Sequence, residues 1–146
     1  MVLAAPATTD ATTRWRRLRA PVLTAAGLGA ASLALLARDP HRHGAWGLCP
    51  FKALTGWDCP ACGGLRAVND LGHGDLAAAW HSNALFISLL PVIGVLWLVV
   101  LERAWTGSER RAPAALVRFG LVALGIVALG FTIYRNTPAG AALHAS

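Results

Sequence analysis

The sequence predicts an all-α membrane protein with three transmembrane helices and a short helix in a cysteine-rich first loop. Three observations carry this. Hydrophobic residues make up 55% of the 146 residues and charged residues only 14%, whereas soluble domains carry about 25% charged residues. The apolar residues fall into three long runs. The basic residues cluster at the ends of those runs, which is how membrane proteins use them. A net charge of +6 raises nucleic acid as a partner, but no basic stripe interleaved with stacking aromatics exists, so that class is set aside. The bilayer is the partner that composition implies.

In chain order, residues 1–13 are rich in Ala, Thr and Pro and are expected to be disordered. Arg14, Arg16, Arg17 and Arg19 follow, and then the uncharged run Ala20 to Ala37. That length is close to the roughly 20 residues a helix needs to cross a bilayer. A cleaved signal peptide has the same order, but Leu35 is too bulky for the small-x-small cleavage rule, so an uncleaved helix is expected. The second run is Ser82 to Leu101, with Pro91 and Gly94 expected to kink it. The third extends from about Pro113 to Tyr134, with Pro113 in the first turn. Residues 1–19 thus form a basic segment, 20–135 a three-helix membrane domain and 136–146 a tail.

Orientation follows from the distribution of arginine and lysine. The segment before the first helix carries four arginines against Asp10, and the second loop carries Arg103, Arg110, Arg111 and Arg118 against Glu102 and Glu109. In the first loop, residues 38–81, Arg38, Arg42, Lys52 and Arg66 are matched by Asp39, Asp58, Asp70 and Asp75. The N-terminus and second loop are therefore expected in the cytoplasm, and the first loop and tail outside. Trp15, Trp46, Trp57, Trp80 and Trp105 fall near the helix ends, as an interfacial belt would.

The first loop holds all three cysteines of the chain: Cys49 before Pro50, then, after Thr55-Gly56, the stretch Cys59-Pro60-Ala61-Cys62-Gly63-Gly64-Leu65-Arg66. Pro60 suits the first turn of a helix running to about Leu71, capped by Asp58 or Cys59. Gly72-His73-Gly74 stops it. Asp75 then caps a helix over Leu76 to Trp80 that merges with the second span. On such a helix Cys59, Cys62 and Arg66 share a face, and Arg66 either tunes the thiols or pairs with Asp70. Asn83 opens the second span; a polar residue there binds a ligand or simply sits at the interface.

Three readings of the cysteines stay open. In the structural one they hold a compact loop that serves as a scaffold or interaction element, although an odd count argues against a closed disulfide framework. In the redox one Cys59 attacks, Cys62 resolves and Cys49 is a third partner; an extracytoplasmic loop lies on the oxidising side. In the metal one Cys49, Cys59 and Cys62 bind zinc with a histidine as fourth ligand. His73 leads, with His41, His43 and His81 behind it.

The ordered combination of Cys-Pro, Thr-Gly, Cys-Pro-x-Cys-Gly-x-x-Arg, Gly-Asp and Asn resembles a family of small bacterial integral membrane proteins of unknown function. The resemblance covers Cys49, Pro50, Gly56, Cys59, Pro60, Cys62, Gly63, Arg66, Gly74, Asp75 and Asn83 and extends into the second span. Proline often follows the Asn in that pattern. Ala84 stands there instead, so a less sharp bend is expected at the start of the second span. The resemblance implies membrane location and no established activity. The reading taken forward is a non-enzymatic accessory membrane protein, acting with a partner membrane protein. The thiol–disulfide protein is the first alternative and the zinc-binding protein the second.

Overall fold

The computed structural model describes residues 8–42, 46–47, 49–108 and 112–143, with side chains from Ala11 onward. They form five α-helices: α1 (Thr8–Ala37), α2 (Pro50–Thr55), α3 (Gly64–Gly72), α4 (Leu76–Thr106) and α5 (Ala114–Arg135). A 3-10 helix, Pro138–Leu143, follows α5. No strand occurs among the described residues. Three segments, Ala11–Ala37, Leu76–Thr106 and Ala114–Arg135, are long and apolar enough to cross a membrane. Most of their leucines, valines and isoleucines point outward, as a lipid-facing surface requires.

α1 begins at Thr8, ahead of the expected Ala20, so residues 8–13 are helical rather than disordered. The extra turns are tied down by the end of α4. The Arg14 guanidinium lies 5.0 Å from the centre of the Trp105 ring, and Arg17 Nε donates to the Ala104 carbonyl at 3.3 Å. A cation beside the last carbonyls of a helix is favoured by its dipole. Helix α5 starts one residue later than expected, with Pro113 as its cap.

α2 was not anticipated. Pro50 occupies its first turn and Gly56 closes it at φ 72°, where its N–H donates to the Lys52 carbonyl. Proline at the start and glycine just past the end is the usual asymmetry of a helix, so the signal was present in the sequence. α3 starts at Gly64, not Pro60. Cys59 to Cys62 form a tight turn instead, with the Cys62 N–H donating to the Cys59 carbonyl at 3.1 Å. Gly63 then sits at φ 82°, a left-handed conformation that interrupts a helix and that glycine adopts without strain. Cys59 and Cys62 therefore do not share a helical face with Arg66.

Asp75 caps α4 through Oδ1, which accepts from the Ala78 N–H at 2.8 Å. The non-helical backbone inside α4 falls at Asn83 (φ −161°, ψ 91°), not at the expected Pro91. Asn83 restarts the helix as its own cap, Oδ1 accepting from the Phe86 N–H at 2.9 Å. The break thus forms with Ala84, and no proline, after the asparagine. It divides α4 into a short leading helix beside the cysteine loop and the span proper.

α1 packs on α3 and α4, and α3 on α4. Residues 114–127 of α5 are all exposed. That helix is held where its C-terminal end and the 3-10 helix meet the loop and α4. Fully buried apolar side chains are few and mostly small: Leu18, Leu35, Cys62, Ala67, Ala79 and Ala84. The buried polar and charged residues are Asp58, Asn69, Asp70, Asn83, Thr132 and Arg135. Apart from Leu18, these residues collect at one end of the molecule, around the cysteines.

Candidate thiol centre

Two short elements bring the cysteines together. Cys49 caps α2, Cys59 opens the turn before Gly63, and Cys62 ends it. The Cys59 and Cys62 Sγ atoms are 2.7 Å apart, and Cys49 Sγ lies 3.5 Å from Cys59 Sγ. All three sulfurs lie within 4.8 Å of one another. The cysteines are free thiols, Cys62 buried and the other two half-buried. The Cys59 N–H also donates to Cys62 Sγ at 3.2 Å, a contact that favours a sulfur carrying negative charge.

The thiols sit in different fields. The backbone amides at the start of α2, that of Lys52 foremost, hold the Cys49 thiol below its ordinary value. Burial, and then the neighbouring Cys59 and Cys49 thiols, push Cys62 up to about 12. Without a cation, then, Cys62 keeps its proton at neutral pH. Two sulfurs bound tetrahedrally to one ion at about 2.3 Å stand about 3.8 Å apart. The cluster needs only a side-chain adjustment at Cys59 and Cys62 to reach that separation.

The loop is gripped from two helices. Asn83 Nδ2 donates to the Pro60 carbonyl at 2.9 Å and to the Cys62 carbonyl at 3.0 Å. From α5, Arg135 Nη1 donates to the Cys59 carbonyl at 3.2 Å and to the Cys62 carbonyl at 3.0 Å. Arg135 Nη2 reaches the Leu143 carbonyl at 2.6 Å. Asn136 reads Asp58 in both directions: its Nδ2 donates to the Asp58 carbonyl and its Oδ1 accepts from the Asp58 N–H, both at 2.9 Å. The buried Asp58 carboxylate pairs with Lys52 at 2.9 Å, joining the turn to α2. Backbone groups that would otherwise be costly to bury are satisfied in this way.

The other anticipated residues lie around this centre rather than in it. His73 stands outside the sulfur group, its Nδ1 facing the Asn69 carbonyl at 2.9 Å. His41 Nε2 contacts Asp70 at 2.8 Å, His81 faces the Ala142 carbonyl at 3.4 Å, and His43 lies outside the described residues. Among the described residues the metal-ligating group therefore comprises the three cysteines alone. Arg66 Nε donates to the Pro40 carbonyl at 3.4 Å. Asp70 is shared between His41 and the Ser82 hydroxyl, the latter at 2.7 Å. These contacts fasten α3 to the end of α1 and the start of α4. Pro50, Gly56, Pro60, Gly63, Gly74 and Asp75 act through turns and helix ends.

Arg135 and Asn136 were not singled out from the sequence; Lys52 and Asp58 entered only as loop charges and Asp58 as a helix cap, whereas Gly63 caps α3 and Asp58 pairs with Lys52. A signal did exist for Arg135: in the expected orientation it is an arginine at the external end of a span, against the charge bias that sets the topology.

With three helices long and apolar enough to span a bilayer and a three-thiol loop at one end, the chain has the build of a multi-pass membrane protein. Residues 49–97, which contain the whole loop motif and most of α4, are similar to the family described as "Protein of unknown function (DUF2752)". No curated protein and no solved structure matches the chain.

Proposed function

We propose that the chain is an accessory membrane protein whose first loop is closed by one divalent metal ion held on Cys49, Cys59 and Cys62. The convergence of the three sulfurs within 4.8 Å is the observation that carries this reading. Thiolates suit soft or borderline cations, and zinc is the one expected. It accepts tetrahedral sulfur ligation and has no redox chemistry to damage the thiols. Three protein ligands leave a fourth position for a donor from water or from a partner membrane protein. The loop is assigned to the extracytoplasmic side on the arginine and lysine bias of the segments at the other end.

One observation favours a second reading. Cys59 and Cys62 are the closest sulfur pair, at 2.7 Å, and are placed to form a disulfide that Cys49 could open. Forming the Cys59–Cys62 disulfide passes two electrons and two protons from the two thiols to an oxidised dithiol partner, which is reduced to its dithiol.

Metal analysis of the purified chain separates the two. Protein prepared with zinc under reducing conditions should hold about one equivalent, and Cys62→Ser should lose it to a chelator concentration that leaves the parent loaded. A fully folded, metal-free protein that traps a mixed disulfide through Cys59 in the Cys62→Ser background would replace the metal reading with the redox one.

A further inference from the structure

Arg135 is a buried cation whose hydrogen-bond and ring partners among the described residues are all neutral. Its side chain is 0% exposed. Its partners are the carbonyls of Cys59, Cys62 and Leu143 and the Phe131 ring, 5.1 Å from the guanidinium carbon. All of these are neutral. Its Nε has no hydrogen-bond partner among the described residues. The Asp58 carboxylate pairs with Lys52, and that of Asp70 with His41 and Ser82. Arginine is almost never fully buried unless it is paired, because an isolated buried charge is very costly. An ionised residue at the end of a membrane helix calls for a named partner.

The groups it grips identify that partner. Two of its three carbonyl contacts are to Cys59 and Cys62, residues of the thiol centre. Three thiolates carry three negative charges and a divalent cation two positive ones, so the bound centre has one negative charge in excess. One guanidinium cancels it. Resting on the metal reading above, we infer that Arg135 is the counter-charge of the metal–trithiolate centre. It is a positioning residue that stabilises the anionic complex from behind, touching the ligands' backbone and not the ion. The C-terminal 3-10 helix is part of this device, because its Leu143 carbonyl helps to hold the guanidinium in place.

The test uses the purified 146-residue chain in detergent, with Zn2+ alone as probe and affinity read by competition with a chelator. Arg135→Gln should weaken zinc binding about 10–100-fold, the usual range for groups just outside the ligand set. Arg135→Lys, which keeps the charge but loses the planar fork, should stay within about threefold of the parent. A Cys49→Ser background leaves two thiolates and a divalent ion, a neutral centre. There Arg135→Gln should cost no more than about threefold. An arginine that merely braces the loop would cost as much in that background as in the parent. The inference is overturned if Arg135→Gln binds like the parent, if its cost is the same with and without Cys49, or if Arg135→Lys falls as far as Arg135→Gln. The lysine comparison decides alone if Arg135→Gln does not fold by circular dichroism. Failure of the parent chain itself to bind zinc would instead overturn the metal reading.

Discussion

At one end of the molecule Arg17 is exposed and makes, among the described residues, a single hydrogen bond to the last turn of α4. At the other, Arg135 is fully buried and makes three. The first end needs little specification. Any cation near the C-terminus of α4 meets a favourable dipole, and water covers what the protein leaves open. The second end cannot rely on water. Its buried carbonyls and amides and the buried Cys62 thiol are enclosed, so each needs a particular donor or acceptor at a particular distance. The comparison teaches where substitutions should matter. Charge alone suffices at the basic end, whereas atomic placement decides at the thiol end.

The largest contrast is expected in thiol chemistry. In intact cells treated with a chelator, an impermeant maleimide should label Cys49 first. Its lowered value means that thiolate appears at a pH below that of an ordinary cysteine. Cys62, at about 12, stays protonated and should react at least about a hundredfold more slowly at neutral pH, its much smaller thiolate fraction being only partly offset by the greater nucleophilicity of a more basic thiolate. Its rate should climb as pH approaches that value. In a cysteine-free background, Ser108→Cys at the opposite end should remain unlabelled until the membrane is opened. Labelling of Ser108→Cys in intact cells would reverse the orientation. Equal rates at Cys49 and Cys62 would remove the distinction between the two sites.

A smaller effect is expected for Asn83→Ala. The substitution removes two donated bonds and the cap of the span, while the Cys62 carbonyl keeps its bond from Arg135. At about 1 kcal/mol per bond the loss is about 2–3 kcal/mol. It should appear in a thermal melt in detergent as an earlier transition. The melt should be unchanged if the loop is held by its sulfurs alone. Gly140→Ala acts on the same end by another route. A Cβ at Gly140 would run into the Tyr134 carbonyl and the Arg135 backbone, which are not free to move aside. The 3-10 helix should shift, and with it the Leu143 carbonyl beneath Arg135.

The smallest effect belongs to the basic end. Arg17→Ala should cost about 0.3–1 kcal/mol in the same melt, and Arg17→Lys still less. A loss at Arg17 as large as that at Asn83 would mean that the basic end is also a specified site.

Much of the architecture was legible in the chain itself. Apolar runs long enough to cross a bilayer leave a helix as the only sensible conformation, since no other local structure satisfies its own backbone in lipid. Turn and cap residues are equally local: Asp75 ahead of Leu76, Gly63 after Cys62, Gly107 at φ 74° closing α4. The spacing of Pro50 and Gly56 marks α2 in the same way. The closeness of Cys59 to Cys62 also follows from their separation in sequence.

Other features depended on segments distant in the chain. Cys49 meets the pair because α2, a helix of 6 residues, turns it back. The Cys62 carbonyl meets Asn83 and Arg135, which lie 21 and 73 residues further on, and no local pattern encodes either contact. His73 lies outside the sulfur group for the same kind of reason: its ring is turned toward the Asn69 carbonyl of its own helix. Local sequence determines conformation because φ, ψ and hydropathy are properties of neighbouring residues. The partner of a buried polar atom is decided only by tertiary structure, because it depends on which distant groups packing encloses with it.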